Sequence, residues 1–155
     1  MNFFRTLIKT DDDAAMLILR LTLGIVFFAH GAQKLFGWFG GFGYSGTMGF
    51  FTAKMGIPAP IAFLIIMAES LGALALIVGF FSRFMAFSIG VDMIGAIFLV
   101  HLKFGFYMNF GDKQAGEGIE YHLLAIGLAI AVLLKGSGKW SIDRLLMNSP
   151  EEEKQ

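Results

Sequence analysis

Residues 14–39 read AAMLILRLTLGIVFFAHGAQKLFGWF. The run exceeds the roughly 20 residues needed to cross a 30 Å hydrocarbon layer, so it predicts a membrane-spanning helix. It is not a plain lipid-facing anchor, because it carries Arg20, His30, Gln33 and Lys34. An ionisable side chain at the bilayer centre costs at least about 2.5 to 3.5 kcal/mol on the lowest scales, so these groups call for a shared protein interior or a wet cavity.

Three further apolar runs occupy 60–81, 84–102 and 118–134, and they carry Glu69, Asp92, His101, Glu120 and His122. The expected fold is all-α: an antiparallel bundle of four transmembrane helices with a long glycine- and aromatic-rich loop between the first two. The domain reading is an interfacial N-terminal segment over 1–10, a four-helix membrane domain over 11–147 and a disordered acidic tail over 148–155. Thr10 or Asp11 is expected to cap the first helix, and Ser82 with Arg83 to form the tight connection between the second and third.

The 155 residues are 56% hydrophobic and only 15% charged, whereas soluble domains are about a quarter charged. Twelve basic and twelve acidic residues balance, with no basic stripe to track a phosphate backbone, so nucleic acid is not an expected partner. The chain has no cysteine, which excludes disulfides, thiolate metal sites and thiol relays. The N-terminal apolar run is too long for a cleavable signal segment and is expected to stay attached. Basic residues near the span ends favour one side: Arg5, Lys9, Arg83, Lys135, Lys139 and Arg144 against Lys54, Lys103 and Lys113. Both termini are therefore expected in the cytoplasm.

Depth decides which polar groups can meet. His30 stands nine residues before Phe39 and Glu69 nine after Pro60, about 13 Å from the outer boundary in each case. His101, Glu120 and His122 fall within about 8 Å of the same boundary. His30 and Lys34, four residues apart, share a face flanked by Gln33, and Glu69 is their expected partner. His30 also reads as a core histidine donating to a carbonyl, Lys34 as a snorkelling lysine and His101 as an interfacial residue. On the last helix Glu120 and Tyr121 share a face while His122 points elsewhere, which makes Glu120 the better site candidate. Arg20 and Asp92 lie about 9 and 12 Å from the other boundary and are expected to form a structural ion pair. Asp92 and His101, nine residues apart, fall on opposite faces of a straight α-helix and could join one site only if that helix kinks.

The candidate catalytic residues are His30, Glu69 and Glu120, and the candidate ligand contacts Lys34, Gln33, Tyr121 and His101. Quinone reduction couples electrons to protons, so it needs a flat apolar slot with donors and proton relays, and these residue types supply them. The leading expectation is a quinone-linked redox protein whose electrons come from a redox partner protein, within a lipid bilayer. The alternatives are a non-enzymatic anchor or assembly subunit of a redox complex, a haem or metal site using the three histidines, and a small-solute carrier acting as a homo-oligomer. No paired Glu-x-x-His ligand motif occurs, and no metal ligand is assigned.

The order of features resembles the DoxX family of small four-helix membrane proteins. The matching elements are Arg20-Leu21-Thr22-Leu23-Gly24 with His30-Gly31 and Lys34; Gly56-Ile57-Pro58 leading to Glu69 and Gly72; Gly79 with Ser82-Arg83; Gly118-Ile119-Glu120-Tyr121; and Gly136-Ser137-Gly138 before Ser141-Ile142-Asp143. The resemblance implies a bacterial inner-membrane protein, often described as an oxidoreductase, with relatives linked to thiosulfate:quinone oxidoreductase subunits and to tolerance of quinones or catechols. Ser82 stands where family members carry Thr, and Gly116-Glu117-Gly118 adds a carboxylate where paired glycines are usual. No catalytic assignment carries over residue by residue.

Overall fold

The computed structural model describes residues 3–148, and those residues are helical or irregular, with no strand among them. The tail expected to be disordered lies, beyond Asn148, outside the described residues. A short helix α1 (Phe3–Ile8) precedes α2 (Ala14–Phe36). The connection after α2 holds a single 3-10 turn, Trp38–Gly40, and the helix α3 (Gly43–Gly49), which runs on into a π turn at Phe50–Lys54. Then come α4 (Ala59–Val78), α5 (Ser82–Phe104), α6 (Glu120–Lys135) and α7 (Ile142–Met147).

Helices α2, α4 and α5 are each long and apolar enough to cross a membrane. Helix α6 has 16 residues, about 24 Å at 1.5 Å per residue. It begins at Glu120, later than the apolar run suggests, because 105–119 folds back on itself through backbone bonds such as Gly118 N–H to the Tyr107 carbonyl. Each of α2, α4, α5 and α6 packs against its neighbours in chain order, and α6 returns to α2. Leu23, Phe27, Leu76, Ile89, Met93 and Val132 fill the space between them. The outward faces are apolar as well: Ile18, Ile25, Leu64, Phe98, Leu124 and Leu134 are between 58 and 71% exposed. Apolar surface on this scale suits lipid and would be a liability in water.

Asp13, not Thr10 or Asp11, caps α2, its Oδ1 accepting the Ala15 N–H at 2.8 Å. Thr10 is engaged elsewhere, since its Oγ1 accepts the Gly138 N–H at 2.6 Å. Ser82 and Arg83 already belong to α5. The turn from α4 is made at Gly79, where φ is +73° and an added Cβ would stand 2.4 Å from the Ser141 Cβ.

The expected ion pair between Arg20 and Asp92 does not form. Arg20 is fully buried and donates to five carbonyls: Ser137 (2.8 Å), Leu76 (2.6 Å), Ile77 (2.5 Å), Lys139 (3.3 Å) and Trp140 (3.2 Å). Leu76 and Ile77 end α4, so the guanidinium caps the negative pole of that helix. Its counter-charge is Asp143. That carboxylate in turn accepts the N–H groups of Phe81 (2.7 Å) and Ser82 (3.1 Å) at the start of α5, and the Ser137 hydroxyl. One buried cation and one buried anion thus satisfy a helix end and a helix start across the α4–α5 turn. Depth along the spans pointed to Asp92 because it is an in-span carboxylate, whereas the true partner enters from the chain beyond α6.

Arg83 closes the same end of the molecule, donating to the carbonyls of Lys9 (2.9 Å) and Leu133 (2.8 Å). Arg83→Leu removes both bonds from a partly exposed side chain and is expected to cost about 1 to 2 kcal/mol, read as a lowered unfolding temperature in mild detergent.

Candidate functional site: a polar-based cavity at the loop end of the bundle

Three π turns occur among the described helices, at Phe50–Lys54, Ala68–Gly72 and Ile97–His101. Each puts residues on one cavity of about 560 Å3: Phe50 and Phe51 from the first, Glu69 from the second, Leu99, Val100 and His101 from the third. A π turn accommodates one extra residue and rotates the helix beyond it by about 100° relative to a regular one. Asp92 and His101, about 180° apart on a straight helix, are thereby brought to within about 80°. Both line the cavity. The kink that the sequence reading required is therefore present, as a π turn that hydrophobic periodicity does not reveal.

At the base of the cavity, Lys34 forms an ion pair with Glu69, which is 4% exposed. The two helices come this close because Gly31 lies on α2 against the backbone of α4, where an added Cβ would stand 2.1 Å from the Glu69 carbonyl oxygen. Asp92, from α5, stands close enough to Glu69 for the two carboxyls to interact electrostatically. One oxygen of Asp92, Oδ2, and the phenolic Oη of Tyr121 are buried with no hydrogen-bond partner among the described residues. His30 opens onto the same space, its ring centroid 6.2 Å from that of Tyr121. Phe27 stacks on the same phenol, with centroids 6.4 Å apart and an interplanar angle of 24°.

A second polar group lies where α5 meets α6. The rings of His101 and His122 are 4.1 Å apart between centroids, and His101 Nδ1 is 2.8 Å from the Glu117 carbonyl. Tyr121 joins the two groups, since its centroid is 5.5 Å from that of His122. The remaining walls are apolar, with Ile57, Ile61 and Ile65 on one side and Val91, Ala96 and Leu99 on the other.

Of the residues expected in the site, His30, Lys34, Glu69, Tyr121 and His101 line the cavity, and so does Asp92, for which the sequence suggested a structural role. Glu120 and Gln33 do not. The Glu120 Oε1 accepts the Met108 N–H at 2.9 Å, so its carboxylate pins the loop before α6. Gln33 donates to the Phe39 carbonyl at 3.3 Å. His122, expected to point away, is buried and faces the cavity instead. Glu120, Tyr121 and His122 follow one another at 100° steps on α6, and it is Tyr121 with His122 that turns to the cavity while Glu120 turns to the loop. No group of three His, Asp or Glu side chains converges as metal ligands would among the described residues.

The chain matches the DoxX family model over residues 15–102, which takes in Lys34, Glu69, Asp92 and His101. It is 31% identical over 139 residues to the Inner membrane protein YqjF of Escherichia coli, covering 89% of this chain and 96% of that protein. It is likewise 31% identical over 127 residues to the "Putative oxidoreductase CatD" of Bacillus subtilis, covering 82% of this chain and 83% of that one. An uncharacterized membrane protein of Mycobacterium tuberculosis, Rv3486, is 28% identical over 149 residues, covering 90% of this chain and 86% of that one. No solved structure matches. With the family's pattern running through the three spanning helices and a relative named as an inner membrane protein matching over nearly its whole length, the chain belongs to the DoxX family of membrane proteins.

Proposed function

We propose that the cavity binds a flat ring bearing two oxygens, of quinone or catechol type, and exchanges protons with it through the Glu69–Asp92 carboxyl pair. The observation that carries this reading is a set of three buried, unpartnered polar atoms, Asp92 Oδ2, Tyr121 Oη and His122 Nδ1, on residues that line one largely apolar cavity. Buried polar groups are almost always satisfied, so three orphans on the walls of one cavity mark where a ligand's polar atoms belong. A volume of about 560 Å3 falls in the range of small-molecule sites.

Two carboxylates this near each other repel unless a proton or cation lies between them, and a single ammonium offsets only one. Glu69, Asp92 and Lys34 thus form a proton store at the base of the slot, and His30 and Tyr121 connect it to the space above. Reducing a quinone to its quinol takes up two electrons and two protons. The carboxyl pair and the histidines handle the protons. The electrons come from a redox partner protein, since a chain without cysteine carries no thiol couple. The name of the Bacillus relative agrees with redox chemistry. Within this reading α6 is the fourth membrane crossing, 11–147 form the membrane domain, α1 is an interfacial foot, and both termini are cytoplasmic in a bacterial inner membrane.

The test is calorimetric titration of the nanodisc-embedded protein with the tailless ring of ubiquinone. Wild type is expected to bind saturably, and Glu69→Gln to lose binding by about a hundredfold while keeping its unfolding temperature within a few degrees, the loss of a charge-assisted contact at the ligand. Undiminished binding by Glu69→Gln would remove that residue from the site. Tyr121→Phe deletes only the orphaned hydroxyl and is expected to weaken binding about tenfold with no loss of stability.

A second reading, an assembly subunit of a redox complex, draws on the exposed aromatic rim of Trp38, Phe39 and Phe42 at the loop end, 52 to 80% exposed. Ring binding with no turnover in the presence of electron donors would favour it.

A further inference from the structure

We propose that the cavity opens sideways into the lipid, through a crevice between α4 and α5, and that its ligand is a membrane-dissolved compound whose apolar tail occupies that crevice. The inference rests on the ring-binding reading above and names the substrate class of the same site. Helix α4 packs on α5 along 68–78, but its turns at 59–67 lean on α2 and α3 instead, so the two helices part toward the loop end. Ile61 and Ile65 of α4 face Val91 and Leu99 of α5 across the gap, and Ile61, Val91 and Leu99 are more than half exposed. All these side chains are uncharged and belong to helices of membrane-spanning length. The opening therefore meets acyl chains, not water.

Gly95 marks the middle of the crevice. It sits inside α5, lines the cavity, and a Cβ added there would meet nothing within 4 Å. Glycine is the poorest helix former after proline, and in membrane helices it is normally explained by close approach of a neighbouring helix. No neighbour approaches here. The absent side chain instead leaves a groove leading from the lipid-facing side to Asp92 and Glu69, which fits a polar ring at the base with a chain trailing outward. A water-soluble ligand would need no such groove.

Two experiments on the full chain decide this. Because the sequence has no cysteine, Gly95→Cys gives a unique site for a nitroxide label in proteoliposomes. The label is expected to be relaxed strongly by oxygen dissolved in the lipid and weakly by a water-soluble nickel chelate; the opposite pattern overturns lateral access. Gly95→Leu then puts a side chain into the groove, with its Cβ clear of any neighbour. Its affinity for decylubiquinone is expected to fall about tenfold or more, while its affinity for the tailless ring changes less than about twofold, as overfilling of the tail path alone requires. Equal loss for both compounds, or loss for neither, overturns the assignment of the crevice to a tail. If wild type binds neither compound, the ring reading itself fails, and the label's accessibility still decides whether the crevice opens to lipid.

Discussion

Replacing Arg20 by Met is expected to lower stability by about 3 to 5 kcal/mol, the largest effect of any single substitution outside the apolar core. The cost does not come from one lost ion pair. Five carbonyls lose a shared donor, and Asp143, 1% exposed, keeps its charge without a cation. Stranding a buried anion is what makes breaking such a pair expensive. Lys is expected to recover little at this position, because an ammonium has three donors from a single point and cannot span carbonyls on both α4 and the chain after α6. A double-mutant cycle gives the sharper result: Arg20→Met is expected to couple to Asp143→Asn by about 1 kcal/mol or more and to be additive with Asp92→Asn, read from thermal unfolding in mild detergent. Coupling to Asp92 instead would restore the pairing that depth along the spans suggests.

The second large effect is expected at Gly31. Any side chain there must drive α2 and α4 apart, since its Cβ would stand 2.1 Å from the Glu69 carbonyl oxygen and 2.5 Å from the Ser70 Cα. These are backbone atoms, which no rotamer change can move. Gly31→Leu is therefore expected to cost about 3 kcal/mol or more, or to prevent folding. Gly31→Ala, with the smallest possible intrusion, separates stability from function. If it folds, widening the helix pair pulls Lys34 from Glu69, and ring binding is expected to fall about tenfold even after the loss of stability is allowed for. Unchanged binding in a folded Gly31→Ala protein would mean that the spacing of the ion pair does not matter to the ligand.

Much of this architecture was legible from residue order alone. Apolar runs located α2, α4 and α5, and equal depth set Glu69 opposite His30 and the Lys34 that shares its face, of which Lys34 forms the ion pair. Rotation and helix ends escaped. The π turns at Ala68–Gly72 and Ile97–His101 re-aim Glu69 and His101, and they leave no trace in hydrophobic periodicity because the residues around them are apolar on every side. The start of α6 was displaced because 105–119 is rich in glycine and folds through backbone bonds, and those loop contacts draw Glu120 to the Met108 N–H while Tyr121 and His122 turn to the cavity. Asp143 was legible as part of Ser141-Ile142-Asp143, but its tie to Arg20 depends on a chain return that no local pattern encodes.

Gly136-Ser137-Gly138 and Ser141-Ile142-Asp143 belong, on this account, to the structural end of the molecule, where they receive Arg20 and cap α5. The proposed binding site lies at the opposite end, in Lys34, Glu69, Asp92 and Tyr121. The two polar groups have separate tasks: variants at Arg20 or Asp143 should change stability, while Glu69→Gln and Tyr121→Phe should change binding.

A carboxyl pair that shares a proton and meets the ring changes its hydrogen bonding when the ring binds. Ligand-induced infrared difference spectroscopy of the membrane-embedded protein tests it most directly. Adding decylubiquinone is expected to shift the carbonyl stretch of a protonated carboxylic acid in wild type, and that signal should be absent from both Asp92→Asn and Glu69→Gln. A wild-type spectrum in which saturating ligand leaves the protonated-carboxyl region unchanged, or a shift that persists in both variants, would contradict the account.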